Sequence, residues 1–440
     1  MSFFSKPADL YVVGGEELAC RHDENSLQRT GWNGGTGRQS AVEIFYARGA
    51  GCYWSEAAAG SVSSNFVEGV QMNIRKLLLP TILVTATFAF CWGSSRNSLA
   101  KQTPPSSSSE GALLQGFAAM NPIDSHTHVY RNDPAFNAML KRLNLHIVDI
   151  AVIDDRDPFN RALEPQLHDI LAIVHGSGGH ASLCTTFSPY PFEQPGFAQN
   201  AIRQLNHDFS DGAVAVKIYK TIGMEIKSKS GKYLMPDDPV FEPLYRDIAA
   251  HNKTVIAHIA EPTSCWQPPN PANIDYEYYK KHPDEYAYLH PQWPSKDSIL
   301  RARDHMLEEN PHLRVVGAHL GSMELSVDEI AKHFDRYPNF AVDTAARVGY
   351  LMLQPREKVR DFMIKYQDRV LYGTDSELYP EGNVEQATKY WQKTYAQDWK
   401  YFATAEVISY RGHNVRGLAL PPSVLRKLYH DNAVKWFPGI

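Results

Sequence analysis

Apolar runs rich in Val, Ile and Leu alternate with helix-patterned segments from residue 121 to near the end of the chain. Eight such runs are present, at residues 123–129, 146–153, 181–187, 214–219, 254–259, 314–320, 340–343 and 369–375. Helical patterns lie between them, near residues 134–143, 158–174, 196–209, 240–251, 296–309, 327–336 and 356–366. Near-continuous apolar strands joined by helices are typical of parallel strands that are buried on both faces. Eight of these units predict a (β/α)8 TIM barrel, because an open doubly wound sheet usually has fewer strands.

The first 120 residues have a different texture. Residues 1–71 sustain neither a helical nor a strand period, and Met72 then begins a basic stretch that leads into an apolar run at 77–91. A basic start, an apolar run of about fifteen residues and small residues near its end are typical of a secretory signal peptide. A membrane anchor is the alternative, but the run is shorter than the roughly twenty residues that a span needs, and Pro80 interrupts it.

This texture predicts four segments. We expect residues 1–71 to be a non-native or disordered extension, 72–95 a signal peptide-like segment, 96–120 a Ser/Pro-rich linker and 121–440 the barrel domain. Translation is expected to start at Met72, with export to the periplasm or the exterior. The membrane would then be a partner only through the export signal.

Composition and charge narrow the class of protein. The 440 residues are 43% hydrophobic and 21% charged, which is ordinary for a globular protein. The formal net charge is -5, and the sequence does not indicate a basic surface that would bind the phosphate groups of a nucleic acid. Nucleic acid is therefore not an expected partner. The five cysteines are too few and too scattered for a disulfide framework, and Cys184 and Cys265 are expected to be buried. The expected partner is a small-molecule substrate. The sequence is also compatible with a homo-oligomer.

Potential metal ligands recur at the ends of the apolar runs. His126 and His128 lie in the first run, where strand alternation places both imidazoles on one face. The later runs contribute four more residues of this kind, namely Lys217 in the fourth, His258 in the fifth, His319 in the sixth and Asp375 in the eighth. Singly, each has a structural explanation, as a hydrogen-bonded histidine, an ion-paired lysine or a helix-capping aspartate. Together at the C-terminal mouth of one barrel, they predict a divalent metal site.

At these positions the chain resembles a known family. From about residue 121 to 436 it is similar to the amidohydrolase superfamily, in its amidohydrolase-related branch of metal-dependent TIM-barrel enzymes. The matching motifs are Asp124-Ser-His126-Thr-His128 on the first strand, His258 and His319 on the fifth and sixth, and Gly373-Thr-Asp375 on the eighth. The resemblance implies that His126, His128 and Asp375 hold one metal ion, and that His258 either joins them or binds a second ion.

The number of ions depends on Lys217. The segment around it resembles the fourth strand of two-metal members, in which the lysine is carbamylated and bridges the ions while His258 and His319 complete the second site. Other members of the branch bind one ion, and their sixth-strand histidine assists catalysis. The complete ligand set slightly favours two ions. Zinc is the expected metal, and Mn2+, Fe2+ or Ni2+ suits the same donors.

The resemblance also implies a reaction. A divalent metal lowers the pKa of the water that it binds to about 7, so hydroxide becomes available at neutral pH. Asp375 is expected to act as general base and to pass the proton to the leaving group, while His319 or the metal polarises the scissile carbonyl. This describes hydrolysis of a C–N or C–O bond in a small amide, lactone or ester. The alternatives are a decarboxylase with one metal ion and a non-catalytic metal- or ligand-binding barrel.

A long segment dense in Pro, Tyr and Trp follows the fifth strand, at residues 261–295. Long loops at a barrel mouth commonly shape a pocket, so Trp266, Trp293 and the strand-four residue Tyr219 are expected to contact substrate. The alternative is a surface cover without ligand contacts. Arg347, just beyond the seventh strand, is expected either to pair with a substrate carboxylate or to form an internal salt bridge.

Overall fold

The protein is described here by a computed structural model, which covers residues 108–157 and 160–440. Nine strands form one sheet in which every pairing is parallel. They are β1 Ile123–Val129, β2 His146–Ile150, β3 Ala181–Thr186, β4 Ala215–Ile218, β5 Thr254–Ala257, β6 Arg314–Gly317, β7 Phe340–Asp343, β8 Val370–Leu371 and β9 Ser376–Leu378.

The sheet closes on itself through β8 and β9. Its strand order is β8-β7-β6-β5-β4-β3-β2-β1-β9, and only residues 372–375 separate β8 from β9 in the chain. Within that short connection, Tyr372 O accepts from Ser125 N at 2.9 Å and Asp375 N donates to His126 O at 2.8 Å. β8 lies within the eighth strand predicted at 369–375, β9 follows directly after that range, and together they close the sheet, so the predicted (β/α)8 barrel is confirmed.

Helices lie between consecutive strands and cover the barrel. Those that connect one strand to the next are Pro134–Arg142, Leu163–Gly176, Phe197–Ser210, Glu242–Ala250, Lys296–Glu309, Val327–Arg336 and Arg356–Lys365. Each lies close to its predicted range, although the helix expected from residue 158 begins at Leu163. Shorter helical segments lie at Pro239–Phe241, Val348–Met352, Pro422–Arg426, Lys427–Asp431 and Asn432–Trp436, and turns with partly non-helical backbone lie at Thr221–Met224 and Ala318–Gly321.

The barrel interior is an apolar core closed at one end. Val148, Ile256 and Val316 belong to a single buried cluster that also contains Trp436 and Phe437 from the end of the chain. The hydroxyl of Thr254, the first residue of β5, donates to Trp436 O, so the final helix covers the N-terminal ends of the strands. The C-terminal ends are left for the polar residues, as the fold requires.

The predicted linker at 96–120 is wrong for its last residues. A helix spans Glu110–Ala118, and the hydroxyl of Ser109 accepts from Ala112 N at its start. Phe117 is fully buried and stacks on Tyr395 at 4.7 Å between ring centroids. The serine run provides the helix cap, and Phe117 then fastens the helix to the barrel domain. The predicted extension 1–71 and signal-like segment 72–95 lie outside the described residues.

Two elements near the C-terminus have no counterpart in the predicted pattern. The helix Val384–Ala403 packs against the first helix, and strands Val407–Tyr410 and His413–Arg416 form an antiparallel hairpin. The long connection after β5 contains the predicted aromatic residues and short helical segments at Thr263–Trp266, Tyr276–Lys281, Pro283–Glu285 and Ala287–Leu289. Within residues 108–157 and 160–440, none of the helices is long and apolar enough to cross a membrane.

Candidate metal centre

The His-x-His pair of β1 and the aspartate of the β8–β9 connection converge at the barrel mouth. The Nε2 atoms of His126 and His128 each lie 3.4 Å from Asp375 Oδ1. The two imidazole rings are 5.5 Å apart between centroids. Strand alternation therefore places both rings on one side of β1, as predicted, and the closing strand brings the carboxylate to them.

The far side of each imidazole is anchored by a hydrogen bond. His126 Nδ1 donates to Asp343 Oδ2 at 2.9 Å, and His128 Nδ1 donates to Ile150 O at 2.9 Å. His319 Nδ1 likewise donates to Ala345 O at 3.0 Å. With the proton on Nδ1, Nε2 carries a lone pair, which is the tautomer that a metal ligand needs.

His319 and Asp375 lie in turns, and not at strand ends as predicted. Strands β6 and β8 stop at Gly317 and Leu371, and the backbone then becomes left-handed, with φ 59 at His319 and φ 63 at Asp375. Such a conformation costs a non-glycine residue roughly 1–2 kcal/mol. Strain of this kind is found where surrounding contacts hold a side chain in a required direction.

His258 and Lys217, the other two predicted ligands, also lie at this end of the barrel. The ring of His258 lies 4.2 Å from that of His319, and its Nε2 is buried without a hydrogen-bond partner among the described residues. Lys217 is 1% exposed, and its Nζ donates to His126 Nε2 at 2.8 Å. An orphaned buried nitrogen is unfavourable unless a ligand uses it, so His258 Nε2 fits a metal-binding role.

The protonation states suit a cation site. Burial lowers the pKa of His128, that of His258 to well below its usual range, and that of His319 to about 3. Burial raises the pKa of Asp375, but its electrostatic interactions with His319 and with the two histidines of β1 outweigh burial and lower this pKa overall. At neutral pH the site therefore presents neutral imidazoles and an ionised carboxylate, which are the forms that bind metal.

Three of the six predicted ligands form the tightest group. One donor atom each from His126, His319 and Asp375 lies within 4.8 Å of the other two, which is close enough to hold one metal ion. Imidazole nitrogen with carboxylate oxygen suits zinc and other divalent first-row metals. The structure brings His128, Lys217 and His258 next to this group, while the number of ions stays a prediction.

Two aspartates that sequence reasoning left without a role support the centre. Asp343 ends β7, and its Oδ1 accepts from His319 N at 2.8 Å while its Oδ2 accepts from His126 Nδ1. Asp124 accepts from Thr374 N at 3.0 Å and from the Thr374 hydroxyl at 2.6 Å, which ties β1 to the Gly-Thr-Asp segment. Its position in the sequence could have indicated this role. Asp343 is the polar residue at the end of the seventh strand, and ligands had been assigned to the fourth, fifth, sixth and eighth strands but not to the seventh.

Arg347 is a buried cation beside the centre. It is 8% exposed, donates to Ala346 O at 3.1 Å and lies 5.8 Å from the ring of Tyr350. Among the described residues, no carboxylate oxygen lies within 4.0 Å of its guanidinium, but the charge of Asp275 raises its pKa, so both predicted roles of Arg347 stay open. Arg347 follows two residues after Ala345, whose carbonyl accepts from His319 Nδ1 at 3.0 Å, so the chain places it near His319.

The long loop after β5 is fastened to the barrel by buried charges. Lys220, two residues after β4, forms ion pairs with Glu261 and, at 3.1 Å, with Glu285 Oε2. Tyr278 OH donates to the same Glu285 oxygen at 2.6 Å. Glu261 Oε1 lies 4.0 Å from His258 Nε2, so this cluster links the loop directly to the candidate centre.

The predicted pocket residues divide into two groups. Tyr219 contacts the centre, since its ring lies edge-on to His258 at 5.4 Å. Trp266 Nε1 donates to Pro294 O at 3.1 Å, and Trp293 stacks on His290 at 4.6 Å, so both tryptophans make contacts within the loop. Their role in substrate binding stays a prediction.

The chain matches one family model and is similar to several solved structures. The family model described as amidohydrolase matches residues 190–439. Comparison with curated proteins gives no match. Among solved structures, the chain is similar to an uncharacterised TIM-barrel protein from Bordetella bronchiseptica. The two are 15% identical, the alignment covers 72% of this chain and 97% of that one, and the TM-score is 0.41.

Two enzymes of known structure are similar to a comparable degree. A 2,6-dihydroxybenzoate decarboxylase from Rhizobium is 14% identical, with 71% of this chain and 98% of that chain covered and a TM-score of 0.42. A dihydroorotase from Campylobacter jejuni is 11% identical, with 72% and 82% covered and a TM-score of 0.38.

Proposed function

The chain belongs to the amidohydrolase family, and we propose that it is a metal-dependent hydrolase that cleaves a C–N or C–O bond of a small amide, lactone or ester. The observation that carries this proposal is the convergence of donor atoms from His126, His319 and Asp375 within 4.8 Å at the barrel mouth. The orphaned Nε2 of His258 supports the same reading. Zinc is the metal that we propose, because imidazole and carboxylate donors are its common ligands.

Proton transfer would be carried out by side chains of the protein. A divalent ion in this site would supply Lewis-acid activation of water and of a carbonyl group. Asp375 is the general base that we propose. A carboxylate is too weak a base for ordinary water, and the lowered pKa of Asp375 makes it weaker still, so it would accept a proton only from water that the site has acidified. The protonated carboxyl group then delivers this proton to the leaving group.

His319 suits the role of a ligand better than that of a hydrogen-bond donor to the carbonyl. Its Nδ1 proton is used by Ala345 O at 3.0 Å, and burial lowers its pKa to about 3. At neutral pH its Nε2 therefore offers a lone pair and no proton. Of the two predicted means of polarising the carbonyl, this geometry favours the metal.

For substrate recognition we propose Arg347 and Tyr219. A buried guanidinium without a carboxylate within 4.0 Å among the described residues is suited to a substrate carboxylate, which its planar fork can bind through two hydrogen bonds. Tyr219 would provide a wall beside His258. We also propose Trp266 and Trp293 as pocket residues, because they lie in the loop after β5, which reaches the barrel mouth.

Decarboxylation of a carboxylic acid is the second candidate. Among the described residues, the potential metal donors form one group of three, and Lys217 Nζ is hydrogen-bonded to His126 Nε2. This arrangement favours one ion, and the one-ion alternative predicted from the sequence was a decarboxylase. Release of carbon dioxide from candidate acids distinguishes this reaction from hydrolysis.

The test is a rate comparison on the zinc-loaded full-length chain. A panel of esters, lactones and amides, with and without a carboxylate, is assayed against wild type and Asp375→Asn. Loss of the general base is expected to lower the rate by about 100-fold to 10,000-fold. The matched control is Asp335→Asn, the same change at an exposed position of the helix Val327–Arg336. Hydrolysis that survives both a chelator and Asp375→Asn would contradict the proposal.

A further inference from the structure

The turn after β6 has an unusual backbone. Residues 319–322 are left-handed in succession, with φ 59 at His319, 59 at Leu320, 63 at Gly321 and 58 at Ser322. Left-handed turns of several L-residues are unfavourable because Cβ approaches the following carbonyl oxygen. Contacts from outside the turn must therefore hold it, and those contacts decide where the His319 imidazole points.

Arg303 provides the contact from one side. It lies on the helix Lys296–Glu309, is 1% exposed, and its Nη1 donates to Gly321 O at 2.6 Å. Its guanidinium is itself fixed, because Nε and Nη2 donate to Asp304 Oδ1 at 3.0 and 2.7 Å. It also lies 5.0 Å from the centroid of the Phe340 ring on β7.

The turn is closed on its other side by the barrel. Asp343 Oδ1 accepts from His319 N at 2.8 Å, and the hydroxyl of Ser322 donates to Ala260 O. A Cβ on Gly321 would lie only 3.0 Å from Phe340 Cζ and 3.1 Å from Met323 Cε. The turn has little room to move, and the Gly321 carbonyl is the group through which the outer helix reaches it.

We propose that Arg303 is a positioning residue that aims His319 at the metal site by holding the Gly321 carbonyl. The side chain does not belong to the donor group, since the turn stands between them. Its loss would free the left-handed turn to relax, which would move His319 Nε2 away from the donors of His126 and Asp375. The inference rests on the proposed function, in which His319 is a metal ligand.

The test measures zinc affinity of the full-length chain by competition with a chromogenic chelator, at a temperature where every variant is folded. Arg303→Gln is expected to weaken zinc binding by about 10-fold to 100-fold, as is usual when the group that orients a ligand is lost. Arg301→Gln is the matched control, being the same change at an exposed position of the same helix, and it should stay within about twofold of wild type.

A double-mutant cycle separates positioning from general stability. If Arg303 acts through His319, then Arg303→Gln has no further effect on zinc affinity in a His319→Ala background. Arg303→Lys keeps the charge and one donor, and should recover part of the affinity; it replaces Arg303→Gln in the cycle if that variant fails to fold. Wild-type affinity in Arg303→Gln, or an equal loss in both backgrounds, would overturn the inference. A wild-type chain that binds no zinc would instead overturn the proposed function and this inference with it.

Discussion

Replacing Asp343 by Asn should impair metal binding through the tautomer of His126. Asp343 Oδ1 accepts from two backbone N–H groups, those of His319 at 2.8 Å and Ala345 at 3.1 Å, and an amide oxygen can keep both bonds. The amide NH2 would then replace Oδ2, which now accepts from His126 Nδ1 at 2.9 Å. Two donors would face each other, so the Nδ1-protonated tautomer of His126, which offers a metal its Nε2 lone pair, would be destabilised.

The size of the effect follows from this single lost contact. Only the bond to His126 is reversed, while both backbone bonds are kept, so the barrel mouth should stay folded. Loss of the partner that orients a metal-binding histidine typically lowers metal affinity by about 10-fold to 100-fold. On the usual scale of about 1.4 kcal/mol for each tenfold, this is about 1.4 to 2.7 kcal/mol of binding free energy.

Zinc affinity of wild type and Asp343→Asn can be compared by chelator competition at pH 7. The control is Asp398→Asn, the same change in a buried aspartate whose hydrogen bond comes from Tyr372 OH at 2.9 Å and not from a histidine. The control should bind zinc like wild type. Unchanged zinc affinity in Asp343→Asn would refute the assignment of His126 as a ligand held by Asp343.

Two further predictions concern pH and substrate charge. Lowering the pH from 7 to 5 should destabilise the metal-free chain, because burial holds the pKa of His319 at about 3 and that of His258 well below the value of 6.5 that each regains on unfolding. Between pH 6.5 and the folded-state pKa, the unfolded state binds more protons than the folded state. The free energy of unfolding is therefore highest above pH 6.5, and below it falls by up to about 1.4 kcal/mol per pH unit for each histidine. Urea midpoints measure this loss, and a His258→Phe variant whose midpoint falls as steeply as that of wild type would contradict it. Arg347→Lys should raise KM for a carboxylate-bearing substrate by at least about 10-fold, since the bidentate contact is lost; an unchanged KM would remove Arg347 from the site.

The barrel and the identity of its polar mouth could be predicted because both follow from simple periodicity. Parallel strands buried on two faces are near-continuous apolar runs, so a His258 or Asp375 at the end of a run is conspicuous. The helix that carries Phe117 was not predicted, because the serine run before it is typical of a linker. The last of these serines, Ser109, instead caps the helix. A cap and a linker have the same composition, and only the apolar partners on the barrel distinguish them.

The turns and supports of the centre could not be predicted from such patterns. Left-handed backbone at His319 and Asp375 leaves no periodic signal, because it depends on contacts with residues far away in the chain. Arg303 lies on a helix in which a charged residue normally faces solvent, yet it is 1% exposed. Asp343 resembles an ordinary strand-end aspartate until its two histidine contacts are known.

Metal content per chain is the measurement that tests the central claim most directly. The full-length chain is purified without chelators in bicarbonate buffer, so that Lys217 has carbon dioxide to react with, and is compared with a His126→Ala, Asp375→Ala double variant. The account predicts at least one divalent ion per wild-type chain and almost none in the double variant; about two ions would support a bridging Lys217. A wild-type chain that holds no ion under any loading condition, or a double variant that holds as much as wild type, would contradict the account.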